Sequence, residues 1–164
     1  MKKLRFGLIG CGRISKNHFE AIAQIPEASF VAVADCIEEK ARTAAETYDV
    51  PKYYTDYHEM LAKEQLDAVT ICTPSGMHPL NGIDVANHKI HVITEKPMGI
   101  NISSADKLIQ ACDKNGVQLF VVKQNRLNST LQLLKRAIDK NRLGRIYQAQ
   151  SNVFWHRPQA YYDA

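Results

Sequence analysis

The sequence predicts an α/β fold built on a doubly wound parallel sheet, and three observations carry that reading. Short apolar runs alternate with stretches of helical period from residue 4 to residue 122, a glycine-rich turn links the first run to the first helical stretch, and the second run closes on an acid, Asp35. Leu4 to Ile9 reads as a strand that ends in Gly10-Cys11-Gly12-Arg13-Ile14-Ser15. Ile14, His18, Ala21, Ile22 and Ile25 then fall on one stripe at helical period, and Pro26 stops that helix. Phe30 to Ala34 is a continuous apolar run, the pattern of a strand covered on both faces.

The alternation continues with a helix carrying Ala41, Ala44, Ala45 and Tyr48, a short strand near Lys52 to Tyr54, a helix around His58 to Ala62 and a strand from Ala68 to Thr73. After the Pro74-Ser75-Gly76 turn come a helix from Pro79 to Asn87 and a strand from His91 to Glu95. Ser103-Ser104-Ala105-Asp106 looks like a capping-box start for a helix that ends at Asn115-Gly116, and Val117 to Val122 is the sixth strand. Parallel strands need crossovers and those are right-handed, so residues 1–122 are expected to form one doubly wound domain. Beyond it, Lys123 to Arg126 is a polar connector and Thr130 to Asn141 an amphipathic helix. Arg145 to Trp155 alternates, with Tyr147, Ala149, Ser151, Val153 and Trp155 on one face, and is expected to be a strand with one dry side. One helix and one strand cannot bury a core, so residues 123–164 read as the incomplete beginning of a second domain.

Composition narrows the function classes. Lys and Arg total 21 against 17 Asp and Glu, and the net charge of +4 is scattered rather than striped, which argues against nucleic acid. Cys11, Cys36, Cys72 and Cys112 form no Cys-x-x-Cys pair, so zinc and dithiol chemistry are not expected and reduced thiols in a cytoplasmic compartment are. The basic start, Met1-Lys2-Lys3, leads into an apolar run too short for a secretory signal, and no stretch approaches the ~18 apolar residues of a membrane span. His88 and His91 have no acid or cysteine spaced with them, so no metal site is expected.

The residues with chemistry cluster at predicted strand ends, where open α/β sheets bind ligands. Gly10-x-Gly12-x-x-Ser15 follows the dinucleotide fingerprint except at its third position: Gly10 for a tight turn, Gly12 for close approach to a diphosphate, residue 15 for helix-to-strand packing, which Ser is small enough to meet. Asp35, 20 residues beyond Ser15, is placed to bind ribose hydroxyls and equally to cap the helix that follows. Its charge repels a 2′-phosphate, favouring NAD over NADP, with Lys40 and Arg42 near enough to offset it. Ser75 and His78 read as cofactor lining or as an ordinary turn with a surface histidine. Lys96, between Glu95 and Pro97, reads as a solvated lysine or as an ammonium that orients an oxygen and exchanges its proton. His18, on the apolar stripe, reads as a packed, hydrogen-bonded histidine, and Trp155 as a core or interface aromatic.

Gly10-x-Gly12-x-x-Ser15 with His18, the terminal Asp35, Cys72-Thr73-Pro74-Ser75 with His78, and Glu95-Lys96-Pro97, in this order and spacing, resemble the Gfo/Idh/MocA oxidoreductases over residues 4 to about 155. The resemblance implies a Rossmann-type domain followed by a larger α+β open-sheet domain, and NAD(P)-dependent hydride transfer at a sugar or cyclitol carbon bearing a hydroxyl. By position it implies that Gly10, Gly12, Arg13 and Ile14 touch the dinucleotide, Asp35 the adenosine ribose, Thr73, Pro74 and His78 the middle of the cofactor, and Glu95, Lys96 and Gln124 its nicotinamide side, with Lys96 the catalytic lysine. Lys123-Gln124-Asn125-Arg126, Trp155-His156-Arg157-Pro158 and Tyr161-Tyr162-Asp163 resemble the branch that oxidises C3 of UDP-N-acetylglucosaminuronic acid, giving a 3-keto nucleotide sugar of lipopolysaccharide biosynthesis. Some relatives there recycle NADH with 2-oxoglutarate. This branch implies a substrate set of Lys96, Asn125, Arg126, Trp155 and Arg157; Arg126 and Arg157 offer forks to a carboxylate or diphosphate, or pair with local acids. The alternatives are a dehydrogenase of another sugar or inositol, and a non-catalytic dinucleotide-binding module. The family's second domain supplies an Asp and a His that this sequence lacks before Ala164, so the 164 residues alone are expected to bind NAD without turnover, and homo-oligomers are expected of the whole protein.

Overall fold

The computed structural model describes residues 3–162; Met1 and Lys2 of the basic start, and Asp163 of the last motif, lie outside the described residues. Six strands are formed: β1 (Leu4–Ile9), β2 (Ala28–Ala34), β3 (Tyr53–Tyr54), β4 (Ala68–Ile71), β5 (His91–Thr94) and β6 (Leu119–Val121). They alternate with α1 (Ser15–Ala23), α2 (Glu38–Thr47), α3 (Tyr57–Lys63), α4 (His78–Asn87) and α5 (Ile102–Asn115). All strand pairs are parallel, in the order β3-β2-β1-β4-β5-β6. The direction of winding reverses between β1 and β4, and at such a reversal the loops at the strands' carboxyl ends splay apart into a crevice.

The middle of the sheet is buried on both faces, β4 throughout, while the edge strands β3 and β6 expose Tyr53 and Phe120. Successive residues of β1 point to opposite sides: Leu8 packs with Phe19, Val33 and Val50, and Ile9 with Val69, Ile71, Val92 and Leu108. Small side chains bring helix close to sheet on α2, where Ala41, Ala44 and Ala45 are the buried residues.

Three expectations are corrected. The apolar stripe of α1 is not the one expected: Ile14 and Ile25 are exposed, and the helix is anchored by Phe19, stacked on Tyr48 with ring centroids 4.1 Å apart. Phe19 and Ser15 lie i, i+4 and face the sheet, so the single large aromatic outweighs several isoleucines in setting the helix's roll. The cap of α5 is Asn101, whose side chain accepts from Ser104 N–H at 2.8 Å, so the two serines lie inside the helix rather than at its start; Gly116 ends it in the left-handed conformation, as expected.

The third correction lies beyond the sheet. The chain divides into two compact units after Lys123. In the second unit α6 (Ser129–Asp139) forms behind its Asn128 cap, but no strand forms between Arg145 and Trp155. Alternation supplies a dry face; a strand also needs a neighbour to take its backbone hydrogen bonds, and among the described residues that stretch has none. Tyr147 and Phe154 are more than nine-tenths exposed. Among the described residues no helix is long and apolar enough to cross a membrane.

Candidate functional site

The glycine turn is shaped by its two neighbouring strands. Gly10 has φ +91°, and its N–H donates to Ala34 O on β2 at 2.8 Å. A Cβ there would stand 2.7 Å from Thr73 N, so the turn and the loop after β4 meet backbone to backbone. At Gly12 a Cβ would meet no protein atom within 4 Å: the residue faces open space. Ser15 is buried, and its hydroxyl donates back to Gly12 O at 2.6 Å, so the serine at the third fingerprint position packs and also fastens the turn to α1.

Asp35 closes the site at the end of β2. One carboxylate oxygen accepts from Cys11 N–H of the glycine turn at 2.8 Å, the other from Ile37 N–H at 2.9 Å. Asp35 is not the cap of α2 that the sequence offered: the N-cap is Ile37, without a side-chain cap bond, and Asp35 braces the residue before the helix while lining the crevice. Burial, then the Asp35 charge, pushes the Cys11 thiol up to about 12, so it is a packed, inert group.

Gly10, Gly12, Asp35, Thr73 and Pro74 line one cleft of about 680 Å³ at the β1–β4 reversal. Sequence reasoning missed Thr55, Tyr57 and Asn81 on its wall, and Lys40, singled out beside Asp35, lies there too. Asn81 accepts from the Thr73 hydroxyl at 2.8 Å, and Tyr57 donates to Asp84 at 2.6 Å. A buried asparagine on the fourth residue of α4 was the available signal, because such a group needs a partner. Arg42, one of the two cations near Asp35, is taken up by Glu39 and, at 3.7 Å, Glu46 on its own helix; Lys40 alone of the two lines the cleft.

The loop after β5 is pinned from two sides. Glu95 is buried; its Oε1 lies 3.1 Å from His18 Nε2 on α1, and its Oε2 accepts from Lys96 N–H at 3.3 Å. His18 is thus hydrogen-bonded and mostly buried, as expected. The Lys96–Pro97 peptide bond is cis. His78 is buried, so it is not a surface histidine on an ordinary turn: its Nδ1 lies 2.7 Å from Pro97 O and its Nε2 2.8 Å from Thr73 O. Its ring therefore ties the loop after β4 to the loop after β5. Lys96 itself is exposed, and among the described residues its amine makes no ion pair.

In the second unit Gln124, Asn125 and Arg126 form an exposed 3-10 turn. The guanidinium of Arg157 lies over both the Trp155 and Tyr161 rings, its carbon 4.6 and 4.8 Å from the ring centroids. One of its N–H groups donates to His156 O at 3.3 Å. Among the described residues no group of three or more His, Cys, Asp or Glu is placed to hold a metal.

A glycine turn at a winding reversal and an acid at the end of the neighbouring strand, on an all-parallel sheet in this order, define a Rossmann-type domain. Residues 4–123 match the Gfo/Idh/MocA family, described as an oxidoreductase family with an NAD-binding Rossmann fold, and the chain belongs to that family. It is 33% identical over 142 residues to myo-inositol 2-dehydrogenase of Thermotoga maritima, covering 87% of this chain and 42% of that enzyme. Among solved structures it is similar to the WlbA dehydrogenase of Bordetella pertussis in complex with NADH and UDP-GlcNAcA, with 48% identity and a TM-score of 0.95 over 99% of this chain and 50% of that one. The WlbA dehydrogenase of Chromobacterium violaceum, in complex with the same two ligands, is similar at 44% identity and a TM-score of 0.95 over 99% of this chain and 47% of that one. The chain spans about half the length of the relatives it matches.

Proposed function

We propose that the chain binds NAD and carries the hydride-transfer lysine of a dehydrogenase that oxidises a secondary alcohol of a UDP-linked N-acetyl-hexosaminuronic acid at C3. The observation that carries the cofactor reading is the Asp35 carboxylate, hydrogen-bonded to the Cys11 amide of the glycine turn and open toward the cleft. The open space at Gly12 and the amides at the start of α1 suit a diphosphate, and Asp35 suits the adenosine ribose diol. NADP is disfavoured by the Asp35 charge; of the two nearby cations Arg42 is paired with Glu39 and Glu46, which leaves Lys40 on the cleft wall as the one that could offset it.

The substrate reading rests on likeness that runs through the second unit as well as the first: both WlbA structures match 99% of this chain, including the stretch with Gln124, Asn125, Arg126, Trp155 and Arg157. Bound NAD would supply the hydride acceptor for the alcohol carbon. Lys96 exchanges the hydroxyl proton at Nζ, Glu95 and Gln124 hold the nicotinamide side, and Gly10, Gly12, Arg13, Ile14, Thr73 and Pro74 hold the rest of the dinucleotide. His78 contributes by fixing the two loops. Asn125 and Arg126 contact the sugar, and Arg157, over the Trp155 ring, takes its carboxylate or diphosphate. The whole protein is a cytoplasmic homo-oligomer.

A second reading, an inositol or other sugar dehydrogenase, is favoured only by the 33% identity to the Thermotoga enzyme. The test joins this chain to the remaining half of the Bordetella relative and follows reduced nicotinamide by absorbance. UDP-GlcNAcA is expected to drive NAD reduction and myo-inositol is not, and Lys96→Ala is expected to abolish turnover while NADH still binds. Turnover with inositol alone, or undiminished turnover in Lys96→Ala, contradicts the reading.

A further inference from the structure

We propose that His18 is a positioning residue for the nicotinamide end of the cleft, acting through Glu95; the proposal rests on the cleft being a dinucleotide site. His18 stands on α1, one turn into the helix that the glycine turn opens, and 77 residues separate it from Glu95. The contact joins Nε2 to Oε1 at 3.1 Å between side chains only 11% and 9% exposed. A carboxylate so shielded gains little from water, so each protein partner matters, and removing one leaves an unpaired oxygen. The other oxygen is held by the Lys96 peptide N–H. Glu95 is therefore gripped once by the helix whose first turn faces the diphosphate, and once by the lysine's own backbone.

The consequence is mechanical. α1 is anchored independently by Phe19 on Tyr48 and by the Ser15 hydroxyl on Gly12 O, so through Glu95 it serves as the fixed post for the loop bearing Lys96, while His78 pins the far side of that loop through Pro97 O. His18 does not line the cleft. Its effect reaches the cofactor only through Glu95 and Lys96, so the half of the dinucleotide held by Asp35 should not sense its loss.

The test uses the 164-residue chain, titrated with NADH and separately with ADP, which lacks the nicotinamide half. His18→Ala is expected to weaken NADH about tenfold, the scale of one hydrogen bond to a charged group, with ADP affinity unchanged. His18→Gln, which keeps a donor, is expected to restore most of the NADH affinity. Glu95→Gln is expected to weaken NADH similarly, and the His18→Ala/Glu95→Gln double variant to lose no more than the worse single one, because the pair acts as a unit. NADH affinity unchanged in His18→Ala, an equal loss of NADH and ADP, or additive losses in the double variant overturns the proposal. A wild-type chain that binds neither ligand overturns the dinucleotide reading itself.

Discussion

Replacing the two glycines of the turn, one at a time, should separate folding from binding. At Gly10 an alanine must adopt φ +91° and place its Cβ 2.7 Å from Thr73 N and 2.8 Å from Cys72 C, both backbone atoms that cannot swing aside. Left-handed strain costs ~1–2 kcal/mol and the shift needed to relieve the overlap a similar amount, about 3 kcal/mol in all. At ~3–6 °C per kcal/mol for a unit of this size, Gly10→Ala should melt about 10 °C lower. At Gly12 the added Cβ meets no protein atom within 4 Å, so the folded chain loses nothing, and the reduced freedom of the unfolded chain is worth ~0.5 kcal/mol in its favour. The same methyl group stands where a diphosphate would approach the backbone. Loss of two amide-to-phosphate bonds at ~1.5 kcal/mol each weakens NADH by about two orders of magnitude. Differential scanning calorimetry and NADH fluorescence titration read the two effects independently. Wild-type NADH affinity in Gly12→Ala, or an unchanged melting temperature in Gly10→Ala, would refute the reasoning.

Other consequences follow from the same geometry. Asp35→Asn should narrow the preference for NADH over NADPH, because a unit charge ~4 Å from a phosphate costs ~4 kcal/mol at an effective dielectric of ~20; paired titrations check this, and an unchanged ratio would count against Asp35 as the selector. Cys36 is exposed and lines the cleft while Cys11 and Cys72 are pushed up to about 12, chiefly by burial, so Ellman's reagent should label Cys36 first and NADH should slow that labelling. Rapid labelling of Cys11, located by peptide mapping, would contradict the packing described for the turn. Burial, then the hydrogen bond to Asp84, raises the Tyr57 phenol from 10.0 to about 12. The folded chain holds that proton more tightly than the unfolded one, so the contribution is intact below pH 10.0 and lost as pH rises toward about 12. Alkaline denaturation of Tyr57→Phe should therefore show a shallower loss of stability across that window than wild type.

The sheet was legible because its signals are local. The strands are short, largely apolar segments, and each helix carries small or apolar residues at helical spacing, so β1 was placed to the residue and α2 by its three buried alanines. The glycine turn and Asp35 were legible for the same reason: the spacing between them is set by one strand-helix-strand unit. What failed depended on distant partners. The roll of α1 is decided by Phe19 meeting Tyr48, 29 residues away, and no periodicity within the helix encodes that choice. The Arg145 to Trp155 alternation specified a dry side without specifying a neighbour. Asn81 and Tyr57 entered the cleft wall through tertiary packing, and the Glu95 contact of His18 joins two elements far apart in the chain.

The central claim is that the amide-lined turn and the carboxylate beside it hold one dinucleotide, and isothermal titration calorimetry of the wild-type chain with NADH and NADPH tests it most directly. Saturable heat with NADH at one site per chain, and much weaker heat with NADPH, is the expected result. Absence of heat with both, from a chain that melts cooperatively, would contradict it.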